Sequence, residues 1–300
     1  MNIEQQSVSN GHGQRAPSST SRHTTSGARR SDPIYALGYT QEERERLIYQ
    51  GKFYAPTTRR LFQDAGIGPG MRVLDVGCGV GDVSLLVAEL VGPAGRVVGV
   101  DRDPLALGTA CQRIEEGGIS NIAFLQGDLR ELSFSEPFDA VVGRVVLMYL
   151  ADPADALRQL ARHVRPGGVL AFLEVDSAFT PPYYPSLPLW EQVGTWFGEA
   201  MQRAGVESQM GLKLYAAFQE AGLPAPVMRA DTIVGTGPDT PIYRQMTDLI
   251  RSLLPFMEQL GLATAADVEI ETLAERLRDE VVAARGVITY PPLVTAWARK

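Results

Sequence analysis

The stretch Leu74-Asp75-Val76-Gly77-Cys78-Gly79-Val80-Gly81 decides how the rest of the chain is read. Arg72 to Val76 is a short apolar run that enters a cluster of glycines, and Asp82 to Leu90 then carries helical spacing. A strand that ends in Gly-x-Gly-x-Gly and opens a helix lets the backbone pass close to a ligand, because glycine has no side chain to collide with it. Asp101 closes the next apolar run, Arg96 to Asp101, 24 residues after Gly77. An acid there can accept hydrogen bonds from both hydroxyls of a ribose.

Outward from this point, helix and strand alternate. Pro104 to Glu116 reads as a helix, Asn121 to Gln126 and Phe138 to Val142 as strands. Asp152-Pro153 opens a helix that closes at Arg165-Pro-Gly-Gly168, and Val169 to Val175 is a fifth strand. Apolar strands separated by helices predict a parallel sheet covered on both faces. Upstream, Thr40 and Glu43 form a capping box. Leu47, Ile48, Phe53 and Tyr54 follow at helical spacing; Pro56 interrupts, and Thr57 to Ala65 reads as a second helix. Beyond Asp176 the alternation stops. Helices are expected at 187–204, 209–221, 240–261 (kinked at Pro255) and 265–284, with strands at Val227 to Val234 and within Val287 to Ala298. The aromatics from Phe179 to Phe197 read either as helix packing or as an apolar substrate cage.

Composition bounds the partners. The 300-residue chain is 45% hydrophobic and 21% charged, ordinary for a globular protein. Its 28 Lys and Arg against 35 Asp and Glu give a net charge of -7, which argues against binding nucleic-acid phosphates. No apolar run approaches the roughly 20 residues of a membrane helix, so no membrane partner is expected. Cys78 and Cys111, the only two cysteines, exclude a disulfide framework and a cysteine zinc site and fit a reducing, cytoplasmic setting. Residues 1–31 are rich in Ser, Thr, Gly, Arg and Gln, with Glu4 the only acid. They are expected to be disordered, with a transit peptide as the alternative. The expected organisation is a tail at 1–31, N-terminal cap helices at 32–66, a cofactor-binding core at 67–178, and substrate-binding additions with the remaining strands at 179–300.

A dinucleotide fingerprint places its third glycine three residues after the second. That position is Asp82, which would repel a pyrophosphate, so a nicotinamide cofactor is disfavoured. The residues instead resemble class I S-adenosylmethionine-dependent methyltransferases across residues 70 to 176. Val73 to Gly81 is similar to their first motif and Val98-Gly-Val-Asp101 to their second. Gly127-Asp128-Leu129 is similar to the adenine contact, Phe138-Asp139 and its strand to the fourth motif, and Arg165-Pro-Gly-Gly168 to the turn before the fifth strand. The branch most resembled is related to quinone-biosynthesis and secondary-metabolite methyltransferases. The resemblance implies an α/β, Rossmann-like, seven-stranded and mostly parallel sheet with its last strand antiparallel. Helices would cover both faces, and added C-terminal helices would form a substrate cap.

It also implies S-adenosylmethionine as cofactor. Gly77 and Gly79, with Cys78 between them, would approach its methionine part, and Asp75 would orient its amino group. Asp101 would bind the ribose with Arg102 beside the adenine. Asp128 would accept from the adenine amino group, with the Leu129 amide nearby. Arg144 would lie near the methionine carboxylate or the substrate, and Gln50 and Tyr54 on a helix closing over the cofactor.

No histidine lies near this site, and the Asn/Asp-Pro-Pro-Tyr loop of amino-group methyltransferases is replaced by Gly143-Arg144-Val145-Val146. The candidate base is Glu174, with Asp176 on the same strand face, or a tyrosine such as Tyr183 or Tyr184. The other reading of Glu174 is a carboxylate bonded to neighbouring backbone. The expected activity is methyl transfer to a small, largely apolar metabolite (aromatic, polyketide or isoprenoid), with slight preference for C-methylation. O- or N-methylation of a natural product, cofactor binding without transfer, and a nicotinamide oxidoreductase are the alternatives. For an isoprenoid diphosphate, Arg229, Arg244 and Arg251 could serve the acceptor, and a divalent metal such as Mg enters only in that case. The oligomeric state stays open.

Overall fold

The computed structural model describes residues 32–177 and 181–300; the expected tail and Phe179 lie outside the described residues. The first half runs α1 (Gln41–Asp64), β1 (Arg72–Val76), α2 (Asp82–Val91), β2 (Arg96–Asp101), α3 (Pro104–Glu116), β3 (Ile122–Gln126) and β4 (Phe138–Arg144). A 3-10 turn (Leu147–Tyr149), α4 (Pro153–Ala161) and β5 (Val164–Val175) follow. The second half runs β6 (Tyr183–Tyr184), α5 (Pro188–Arg203), α6 (Met210–Glu220), β7 (Val227–Asp231), β8 (Val234–Thr236) and α7 (Ile242–Gln259). It ends with α8 (Ala265–Val268), α9 (Leu273–Ala283), β9 (Val287–Thr289) and β10 (Leu293–Arg299).

The seven-stranded sheet has the order β3-β2-β1-β4-β5-β10-β7. Its first five strands are parallel, and β10 runs antiparallel to both β5 and β7, the arrangement the sequence resemblance implies. Val73, Leu74, Ala140, Val141, Leu170 and Phe172 are fully buried, which explains why these strands read as continuous apolar runs. Asp103 caps α3 through the Leu105 amide and Asp152 caps α4 through the Asp155 amide, each followed by a first-position proline. β1 lies between β2 and β4, so the chain leaves the ends of β1 and β4 toward opposite sides and opens a crevice there.

Several elements differ from the sequence reading. α1 passes through Pro56 unbroken. Its buried residues Tyr54, Thr57, Thr58, Leu61 and Phe62 run across the proline, and their packing outweighs the roughly 3 kcal/mol cost of proline inside a helix. Thr40 does accept from the Glu43 amide at 3.1 Å, but the Glu43 carboxylate turns to Arg46, so half of the capping box forms. Arg165-Pro-Gly-Gly168 lies inside β5: pairing with β4 holds at Val164, shifts, and resumes at Val169. Val227 to Val234 divides into β7 and β8, which join different sheets, as do β9 and β10. The expected helix at 265–284 is broken at Glu269, whose φ is 48°.

Gly143 shows how closely the core is fitted. A Cβ there would sit 2.6 Å from the Phe172 ring and 3.2 Å from Val76. Gly143→Ala should therefore cost about 1–3 kcal/mol through overpacking. Phe172→Leu in the same chain should recover part of that loss. Urea unfolding of the single and double variants measures the coupling, and strictly additive effects would show that the ring is not the obstacle.

Candidate functional site

A cavity of about 300 Å³ opens at the crevice. Its floor begins with the loop after β1. Gly77 and Gly79 hold φ of 63° and 52°, a left-handed region costly to residues with a Cβ. A Cβ on Gly79 would meet nothing within 4 Å, so that backbone borders open space. The Cys78 amide donates to the Val100 carbonyl at 3.0 Å and pins the loop to β2. Asp101 completes the connection: its carboxylate accepts from the Gly79 amide at 2.7 Å and from the Asp103 amide at 2.9 Å. Burial pushes the Asp101 carboxyl above its ordinary value despite these bonds. Asp75, fully buried, accepts from the Ser84 hydroxyl at 2.6 Å through Oδ2. Its Oδ1 has no partner among the described residues. Burial pushes this carboxyl up to about 7.

The opposite wall is the loop after β4. Val145 has a φ of 56°, an unfavourable conformation for a β-branched residue. Glu174 holds the loop in place. Its Oε1 accepts from the amides of Val146 at 3.0 Å and Leu147 at 2.8 Å, and Oε2 from Met148 at 3.4 Å. The Val145 amide meanwhile donates to the Leu173 carbonyl at 2.8 Å. Burial pushes Glu174 up to about 7 while the three amides pull it down. The loop it fixes puts Val146 against Gly77, where a Cβ would lie 2.5 Å from a Val146 methyl. Arg144 lines the cavity with no carboxylate within ion-pair distance among the described residues. Its guanidinium lies 5.7 Å from the Tyr54 ring centre, and burial lowers its pKa.

Of the residues expected from sequence, Gln50, Tyr54, Gly77, Cys78, Gly79, Asp101, Arg102, Leu129 and Arg144 share the cavity wall. Asp75 and Asp128 are not on it. Asp128 is held by Arg130 at 2.7 Å and Arg102 at 3.0 Å, and the Arg130 hydrogen bond holds its carboxyl down at about 2. Glu174 also stands off the wall, as the backbone-bonded carboxylate of the alternative reading. Asp176 accepts from the Leu212 amide at 3.1 Å, and Tyr183 and Tyr184 belong to β6 in the three-stranded sheet. Arg229, Arg244 and Arg251 each face a carboxylate, Asp64, Asp248 and Glu271, and do not line the cavity. Among the described residues no group of acids, histidines and cysteines has the spacing of a metal site.

Sequence reasoning missed two parts of the wall. One is the segment before α1, where Pro33, Tyr35, Leu37 and Tyr39 line the cavity. Asp32 ties it down through Arg102 at 3.0 Å and the Ala151 amide at 3.1 Å. The other is a buried polar array. Glu43 chelates Arg46 with two 2.7 Å bonds, and Arg46 reaches Gln50 at 2.6 Å. Gln245 donates to Gln50 and to Tyr290 at 3.4 Å, and Tyr290 shares a 2.8 Å bond with Tyr54. The i, i+3 and i+7 spacing of Glu43, Arg46 and Gln50 was legible as one helix face; the partners from α7 and the segment after β9 were not.

A family description, "Methyltransferase domain", matches residues 67–222. The demethylmenaquinone methyltransferase of Listeria welshimeri is 32% identical over 161 residues, 53% of this chain and 65% of that protein. This chain thus spans less than two thirds of that curated relative. Two solved structures share the fold. A putative methyltransferase from Bacillus halodurans has a TM-score of 0.56 at 19% identity, covering 81% of this chain and 98% of that one. A Haemonchus contortus phosphoethanolamine N-methyltransferase, solved with S-adenosylhomocysteine, has a TM-score of 0.50 at 17% identity, covering 82% of this chain and 52% of that one.

Two outcomes test the wall. Glu174→Ala would leave three amides, two of them buried, without their acceptor and should cost roughly 3 kcal/mol or more, read by urea unfolding. A loss below about 1 kcal/mol would show that the loop holds itself. Asp75 and Glu174, with ordinary values of 3.8 and 4.5, both rise to about 7 in the fold. The folded chain thus binds these protons more tightly than the unfolded chain. Their contribution to stability is fully present below those ordinary values and is lost as the pH rises toward 7. Asp75→Asn should flatten that fall in urea midpoint, and an unchanged slope would assign it to other groups.

Proposed function

The chain belongs to the family of methyltransferase domains, of the S-adenosylmethionine-dependent class I kind, and from that membership we propose that its cavity carries out methyl transfer to a small, largely apolar, oxygen-bearing acceptor. One arrangement carries this reading: open backbone at Gly79, bonded to Asp101, and, off the cavity wall at the end of the preceding strand, a buried Asp75 oxygen that lacks a partner. Such donors and acceptors fit the cofactor. Asp101 keeps lone pairs for the ribose hydroxyls, the unpartnered oxygen of Asp75 suits a cationic amino group, and the unpaired guanidinium of Arg144 suits a carboxylate. Gly127 and Leu129 border the adenine side. When bound, S-adenosylmethionine supplies a methyl group on a positively charged sulfur.

The chain's own part is mainly alignment. Leu47, Met148, Leu150, Phe197, Met201 and Leu249 give the cavity apolar walls that exclude water and orient a flat acceptor. Asp82, which lines the cavity and is bonded to Arg113 at 2.8 Å, stands at the position of a dinucleotide fingerprint's third glycine, which weighs against the oxidoreductase alternative. Likeness to a demethylmenaquinone methyltransferase supports C-methylation of a quinol-like ring. Mass spectrometry of a 1,4-naphthoquinol incubated with enzyme and S-adenosylmethionine should show one added methyl, and NMR should place it on carbon. Transfer to oxygen would support O-methylation, and binding of NADH instead would overturn the reading. Asp101→Ala should weaken S-adenosylmethionine binding roughly 10- to 100-fold by calorimetry, the worth of hydrogen bonds to a charged group. Unchanged affinity in a folded variant would remove Asp101 from the site.

A further inference from the structure

The wall built from α1, the 3-10 turn and the Tyr290 segment supplies donors and a cation but no free base. Arg46 is 4% exposed and reaches the cavity. It spends three of its N–H groups on Glu43 and Gln50, leaving two of its five. Glu43 has no acceptor capacity to spare: besides Arg46 it takes the Tyr35 hydroxyl at 2.9 Å and the Ser252 hydroxyl at 2.7 Å. The Tyr149 hydroxyl has no hydrogen-bond partner among the described residues, and its ring stands edge-on to Tyr35 at 5.2 Å. Burial holds the phenols of Tyr35, Tyr54, Tyr149 and Tyr290 above their ordinary values, so they remain protonated.

The other charged groups around the wall are accounted for. Asp82 pairs with Arg113, Asp101 accepts from two amides, and Asp103 caps α3. Glu174 faces the backbone of the turn. Arg44 and Arg144 add positive charge, and Arg102 is paired with Asp32 and Asp128. His163, the only histidine among the described residues, packs on Phe134 and is not on the wall.

We propose that the acceptor is bound as an oxyanion, an ionised phenol or enol, held by Arg46 and Tyr149, its proton having left to solvent rather than to a protein base. This rests on the methyl-transfer reading and narrows its substrate class to acidic hydroxyl compounds. The probe is 2-hydroxy-1,4-naphthoquinone, whose enolate absorbs at longer wavelength than its neutral form, titrated spectroscopically on enzyme saturated with S-adenosylhomocysteine. Binding should lower the probe's apparent pKa by at least about 1 pH unit, the usual effect of a nearby opposite charge. Tyr149→Phe should shrink that shift. Arg46→Met strands the buried Glu43, so the double variant Glu43→Gln/Arg46→Met is measured beside it, and the shift should vanish in the double variant. A bound probe with an unchanged or raised pKa overturns the proposal. So does no probe binding on enzyme that holds S-adenosylhomocysteine, and so does a full shift persisting in Tyr149→Phe and in the double variant. Failure to bind S-adenosylhomocysteine overturns the methyl-transfer reading itself, and this proposal with it.

Discussion

The cavity depends on one buried carboxylate gathering three amides. Glu174 projects from the end of β5 and accepts from Val146, Leu147 and Met148, turning the chain after β4 through the unfavourable conformation at Val145. Without that acceptor the turn would leave two buried donors and a part-buried one unpaired, at about 1–3 kcal/mol for each buried donor. With it, Val146 is driven against Gly77, closely enough that a Cβ there would meet a Val146 methyl at 2.5 Å. Cys78 and Gly79 then fasten that loop to Val100 and Asp101. The ends of β1, β2, β4 and β5 are thereby joined around the cavity.

The array on α1 imposes a second constraint. A buried Arg46 and Glu43 gain little over apolar residues of the same size, because taking both charges out of water costs several kcal/mol. What the pair gains is register. Glu43 binds Tyr35 before the helix and Ser252 on α7, while Gln50 meets Gln245 and Tyr54 meets Tyr290. Each bond fixes one element against α1, and half-satisfied arrangements are penalised in a low dielectric. The same bonds leave Arg46 facing the cavity, so the acceptor wall is set by the contacts that seat the helix.

The sequence makes the core legible for a physical reason. Buried parallel strands must be apolar, and a strand that passes a ligand must turn on glycine, so both constraints leave local marks between Arg72 and Asp101. The resemblance adds the antiparallel last strand, and β10 between β5 and β7 agrees with it. What the sequence hides is non-local. Pro56 marks a helix break by local rules, yet packing along α1 carries the helix through. Glu174 reads as a strand-end base because spacing gives its position and not the three amides waiting for it. Asp128 sits where an adenine contact is expected, but Arg102, distant in sequence, and Arg130, two residues on, take its oxygens.

Asp75 shows how a cost to the fold becomes a property of the site. Its buried Oδ1 has no partner, a deficit of about 1–3 kcal/mol that a hydroxyl or an apolar residue would avoid. Burial raises the carboxyl to about 7, and protonation then offsets part of that cost. A cationic amino group brought to that oxygen, as in the proposed cofactor contact, reverses the balance. The ion pair favours the carboxylate, the proton is released, and binding strengthens as the pH rises through the same range in which the unliganded fold weakens. Asp75's share of the loss of stability and the gain in affinity arise from the same proton.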